Sequence, residues 1–133
     1  LKQQAFSLNI FNRVIFKGIV ERKEIYKVLS ESSGYLSTSK WEGIGVANIE
    51  AAALGCMPFI SDIEPHNEIC DAIGLNSIDL NNTNDWIIKI DNWFQRKNYE
   101  KEITLEKMIK STRNKFDGEK LATLYAKEYG NFF

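Results

Sequence analysis

Two carboxylates and two glycines within one short stretch carry most of the chemistry this sequence offers. Glu42 is followed directly by Gly43-Ile44-Gly45, and Glu50 stands eight positions after Glu42. Glycine has no Cβ, so backbone N–H groups beside it can approach a ligand closely. A helix starting behind the pair adds unpaired N–H groups and a partial positive charge. Together these suit a phosphate. A plain tight turn ahead of a helix accounts for the same glycines. Glu50 sits among Ala, Ile, Leu and Val, on the helical face of Val46. A carboxylate in such surroundings needs partners, and the cis-diol of a sugar supplies two hydroxyl donors. A solvated or capping glutamate is the alternative.

Other candidates are weaker. Asp62, Glu64, His66 and Glu68 resemble a ligand cluster, but only some share a face of a short helix, so no metal site is expected. His66 and Glu68 are read as loop and cap residues. His66 is the only histidine, which speaks against a multi-histidine metal site and a Ser-His-Asp relay. No D-x-D pattern is present. Cys56 and Cys70 form no CxxC pair and read as two reduced thiols. Lys17 and Lys40 are basic residues near the glycine pair, read as solvated surface lysines.

The elements that must position these residues alternate. Val14-Ile15-Phe16 reads as a short buried strand ended by Gly18. Glu21 to Ser32 carries Ile25, Val28 and Leu29 at helical spacing. Gly34 to Ser39 is a second strand, and a turn-rich loop follows to Gly45. Val46 to Leu54 is a compact helix with Gly55 just past its end. Met57 to Ile63 is a third strand. Pro65 opens a helix to Cys70 or Ala72, and Ser77 to Leu80 is a fourth strand. Thr83 or Asn84 caps a helix from Asp85 to Gln95, in which Trp86, Ile87, Ile90, Trp93 and Phe94 read as one stripe packed on the sheet. Thr104 to Lys115 and Glu119 to Tyr129 are closing helices. Exposed aromatics among Trp93, Phe94, Phe132 and Phe133 would mark a contact surface. Alternation of this kind predicts a single α/β domain over 1–133, a Rossmann-like parallel sheet flanked by helices. Ligands of such sheets bind at the carboxyl ends of the strands.

Composition bounds the function. The 133 residues are 44% hydrophobic and 26% charged, which is globular rather than disordered. The formal charge is -1, so nothing drives phosphate-backbone binding and no nucleic-acid partner is expected. No apolar run approaches the roughly 20 residues that span a bilayer. Lys2-Gln3-Gln4 leads into a mixed segment rather than a secretory apolar run.

The stretch Ser39-Lys40-Trp41-Glu42-Gly43-Ile44-Gly45 through Glu50-Ala51-Ala52-Ala53-Leu54-Gly55-Cys56-Met57-Pro58 to Ser61 resembles the nucleotide-sugar motif of retaining glycosyltransferase family 4, the glycogen-synthase-like enzymes of GT-B fold. Val14-Ile15-Phe16-Lys17-Gly18-Ile19-Val20, Ser61-Asp62-Ile63-Glu64-Pro65-His66-Asn67-Glu68-Ile69 and the tail Phe116 to Tyr125 resemble its flanking segments. Ile44 stands where Phe is frequent, and Glu64 is an extra residue before Pro65. The resemblance implies the C-terminal, donor-binding half of a two-domain enzyme. Glu42 would contact the donor sugar as the catalytic residue. Gly43, Ile44, Gly45 and Val46 would hold the diphosphate, Glu50 the ribose, and Gly18 and Val20 the base. It further implies a nucleotide-diphosphate sugar as co-substrate, no other cofactor and no metal. The glycan or lipid-linked acceptor would be held by an N-terminal domain absent from this chain. The setting would be cytoplasmic, at the inner face of the membrane if the full-length protein associates peripherally. Trp41 would line the cleft, face the absent half or sit in the core. The alternatives are a non-catalytic Rossmann-like scaffold and a sugar-nucleotide epimerase of related architecture.

Overall fold

A computed structural model describes residues 1–119 of the chain. The elements run α1 (Lys2–Ser7), a 3-10 turn (Phe11–Arg13), α2 (Arg22–Glu31), β1 (Gly34–Ser37), α3 (Val46–Ala53), β2 (Met57–Ile60), α4 (Glu64–Ile73), α5 (Thr83–Gln95) and α6 (Asn98–Lys115). The strands pair in parallel, from Gly34 against Met57 to Ser37 against Ile60. On the far side of β2, Ser61 makes a parallel bridge to Ile78. Ile78 N donates to Ile60 O at 2.8 Å, and Asp62 N donates to Ile78 O at 2.9 Å. The expected fourth strand is thus a single bridge.

The strand expected at Val14-Ile15-Phe16 does not form among the described residues. Val14 has extended backbone at φ -117 and ψ 121, but its N–H is spent on Phe11 O at 3.2 Å, closing the 3-10 turn, and Ile15 is 83% exposed. A three-residue apolar run becomes a strand only when another strand completes its ladder. α1 and the 3-10 turn ahead of this link were not anticipated. The helix expected over Glu119 to Tyr129, and Phe132 and Phe133, lie outside the described residues save Glu119.

Local sequence explains most of the rest. Gly55, at φ 78, ends α3, and Cys56 N returns to Ala51 O at 2.9 Å. Pro65 lies in the first turn of α4. The cap of α5 is Asn82 rather than the expected Thr83 or Asn84; its side chain accepts from Asp85 N at 3.1 Å. α6 starts at Asn98, ahead of the expected Thr104.

The core lies on both faces of β2, because successive strand residues point to opposite sides. Ile60 packs with Ala52, Ile69, Cys70, Ile73 and Met108, which places α3, α4 and α6 on one face. Phe59 packs with Ile78, Trp86 and Trp93, which places α5 on the other. Ala51 and Ala52 are fully buried; such small side chains let α3 approach closely. Within the expected stripe of α5, Trp86 and Trp93 are buried and Ile90 packs beside them, whereas Ile87 and Phe94 face out. Trp93 therefore belongs to the core and not to an exposed contact surface. Its Nε1 donates to Ser33 O at 3.2 Å, tying α5 to the start of β1.

Candidate functional site

Both strands run out into serines. Ser37 ends β1 and Ser61 follows β2, so both stand at the carboxyl edge of the sheet, where a parallel α/β layer presents its ligands. Ser61 Oγ donates to Ser39 O at 2.6 Å and draws the loop after β1 onto this edge. Ser39 Oγ donates to Glu42 Oε1 at 2.5 Å, and Ser37 Oγ lies 3.5 Å from the same oxygen. Glu42 is therefore held over the strand ends rather than left to solvent, with its side chain 27% exposed.

Beyond Glu42 the chain turns into α3 through Gly45, the N-cap, in the left-handed region at φ 74. A Cβ on Gly45 would lie 2.6 Å from Asn48 Nδ2, 3.2 Å from Glu42 Oε2 and 3.2 Å from His66 Cδ2. Backbone conformation and space both demand glycine. No side chain caps α3, so the positive end of the helix is left to whatever binds there. Ile44 and Val46 are exposed on the outer side of this turn.

Glu50, one turn into α3, joins α2. Its Oε1 accepts from Arg22 Nη2 at 2.6 Å and from Tyr26 Oη at 3.0 Å. The bond to Glu50, and next that to Tyr26, push the Arg22 guanidinium further above its usual range. Glu42 and Glu50 do not touch each other, yet both act on one group. Burial foremost pushes the Tyr35 phenol up; a hydrogen bond with Ser37 opposes this, and the charges of Glu42 and Glu50 add to it. Gly18, at φ 67, and Val20 lie in the link that leads into α2. A cavity of about 270 Å³ borders the turn, lined by Gly43, Ile44 and Ile49 together with Glu64, Glu68 and Phe116; neither Glu42 nor Glu50 lines it.

The structure revises several expectations. His66 is not a loop or cap residue but is fully buried within α4. Its Nδ1 lies 3.0 Å from Ser61 O and 3.1 Å from Ser61 Oγ, and its Nε2 faces Glu42 Oε1 at 3.6 Å. Asn48, Ser61, Arg22 and Tyr26 were also missed. The available signal was the serines at 37, 39 and 61, each at the end of a strand-like run. Lys17 pairs with Glu24 at 2.6 Å, and Lys40 is exposed. Trp41 is 83% exposed and so is not core. Among the described residues no cluster of three or more His, Cys, Asp or Glu is able to hold a metal ion, and no helix is long and apolar enough to cross a membrane.

A parallel α/β layer with a glycine-started helix at its strand ends, Glu42 ahead of that helix and Glu50 within it, is a Rossmann-like domain. The family model described as "Glycosyl transferases group 1" matches residues 1–115, and the chain belongs to that family. A glycosyltransferase takes a sugar from a donor and delivers it to an acceptor. No curated protein and no solved structure matches the chain in the comparisons.

Proposed function

We propose that this chain is the donor-binding half of a retaining glycosyltransferase. It would move a sugar, of hexose type, from a nucleotide-diphosphate donor to a glycan or lipid-linked acceptor held by a second Rossmann-like half. The observation that carries this reading is the uncapped α3 with Glu42 fixed beside its start. The amides of the turn into α3, from Gly43 to Val46, receive the diphosphate. As the sugar–phosphate bond breaks, negative charge grows on that leaving group, and preorganised N–H donors stabilise it. Glu42, oriented by Ser39, faces the sugar. Glu50 has Oε1 committed to Arg22 and Tyr26, and Oε2 is the atom offered to the ribose hydroxyls. Gly18 and Val20 flank the base. No metal or other cofactor enters this account. Exposed Trp41, Ile44 and Val46 suit a cleft closed by the acceptor half. Synthesis of envelope polysaccharide in the cytoplasm, at the inner face of the membrane, fits such an acceptor.

UDP and GDP at millimolar concentration are expected to shift the backbone amide resonances of Gly43 to Glu50. Glu50→Ala should weaken that binding roughly five- to 150-fold, the loss of one charged hydrogen bond at about 1–3 kcal/mol. Glu42→Ala, in the protein assembled with its acceptor half, should lower turnover more than nucleotide affinity. Resonances indifferent to both nucleotides would remove the donor site. An unchanged affinity in Glu50→Ala would remove only the ribose contact.

A further inference from the structure

Beneath Gly45 lies a set of buried polar atoms that the donor-site reading does not use. His66 and Asn48 are both fully buried. His66 Nε2, Asn48 Nδ2 and Asn48 Oδ1 have no hydrogen-bond partner among the described residues. Native chains leave few buried polar atoms unmatched, because each such atom has lost its water and gained no partner. Three in one place mark a site rather than an accident of packing.

The imidazole is the informative member. Ser61 O accepts and cannot donate, so the bond at 3.0 Å places a proton on Nδ1. Ser61 Oγ gives its own proton to Ser39 O and is left to accept from Nδ1 as well. A neutral ring then has a bare Nε2, which looks at Glu42 Oε1 across 3.6 Å. Two acceptors face each other with nothing between them, in a place closed to solvent on the histidine side. One proton on Nε2 resolves both groups: the ring gains its missing partner, and the carboxylate gains a charge-assisted bond.

We propose that His66 is the positioning residue for Glu42, through one proton held between His66 Nε2 and Glu42 Oε1. The proton comes from solvent and returns to it; the only bond made is N–H. With the proton in place, Glu42 is clamped by Ser39 on one side and His66 on the other. Without it, Glu42 keeps the serine and loses the second anchor. Among the charged groups of the described residues, Glu42 is the one within ion-pair reach of the ring. On α4 itself Glu64 and Glu68 are exposed. Cys70 is buried with its thiol pushed up to about 11 by burial and therefore neutral. The helices packed on α4 turn Asn48 (α3) and Met108 and Thr112 (α6) inward, while Lys107, Lys110 and Arg113 are exposed.

The proposal deepens the reading of Glu42 as the sugar-facing acid and rests on it for its effect on donor binding, but the proton itself is testable without a donor. Because His66 is the only histidine, its ring ¹⁵N resonances need no assignment by mutation. In the labelled full chain between about pH 5 and 8, the range in which a histidine switches, Nδ1 should stay protonated. Nε2 should carry its proton only where the Glu42 side-chain carbon is shifted with it. Glu42→Gln should weaken the Nε2–H signal at one fixed pH. His66→Gln, whose amide donates at every pH, should abolish the Glu42 step while keeping the fold. A Glu42 carbon that ignores the imidazole, or an Nε2–H signal unmoved by Glu42→Gln, overturns the proposal. UDP-glucose then reads the consequence: wild-type affinity should fall several-fold as the Nε2–H signal is lost with rising pH, and His66→Gln should flatten that fall. If UDP-glucose shifts no resonance from Gly43 to Glu50 in either chain, the donor site fails, and the imidazole data still decide the proton pairing.

Discussion

Asn48 is a single residue whose burial works against stability. It occupies the first turn of α3, its backbone N donates to Gly45 O at 2.9 Å, and its side-chain amide is buried with neither polar atom matched. An amide so placed is a net burden on the ligand-free fold, because its desolvation is not offset by a hydrogen bond. Leucine has a similar shape and no polar atoms. Asn48→Leu should therefore raise the stability of the ligand-free chain, by about 1 kcal/mol, in urea unfolding followed by circular dichroism. A loss of stability would show that the amide is matched after all. Native chains keep such liabilities where binding requires them, and this one lies within 2.6 Å of the point where Gly45 would carry its Cβ.

At the scale of elements, α5 separates a packing stripe from a merely apolar one. Trp86 and Trp93 are buried against Phe59 and Ile78, whereas Ile87 and Phe94 lie on the same helix and face out. Trp93→Ala should cost about 3–5 kcal/mol and also strand the Ser33 carbonyl that its indole satisfies; Phe94→Ala should change the thermal midpoint little. Equal effects would mean that the helix is rotated from this orientation. The sequence made α5 legible as a helix, but five apolar residues at helical spacing do not say which three face inward. The same limit governs the rest. The βαβ alternation, α2, α3 with Gly55 behind it, and the Pro65 start of α4 were readable, because their signals are local. Val14-Ile15-Phe16 failed because a strand is made by its neighbour. Glu42 and Glu50 were visible through their spacing with the glycines. His66, Asn48 and Arg22 were not, since their contacts arise only when α4 and α3 meet beneath the loop after β1 and α2 reaches Glu50 on α3.

Across the whole molecule, the interior is apolar enough to hold its acids neutral, and this sets where the fold fails. Cys56 and Cys70 are buried on opposite sides of the packing around α3, the first with Leu29 and Ala51, the second with Ile60 and Met108. Burial pushes each thiol up to about 11 from an ordinary 9, and it pushes the Tyr35 phenol up as well. An acid raised in the folded state holds its proton where the unfolded chain has released it. Stability is then fully present below about pH 9 and is lost as pH rises towards about 11. Two raised units correspond to about 2–3 kcal/mol for each thiol, a large share of a typical domain's stability. Urea midpoints measured stepwise through that interval should therefore fall steeply. Cys56→Ala with Cys70→Ala should flatten the slope even though the small cavities lower the plateau below pH 9, since a slope reports proton release and a plateau reports packing. A slope unchanged in the double variant would assign the alkaline limb to the phenols instead, and would mean that the two thiols ionise in the folded chain as readily as in water.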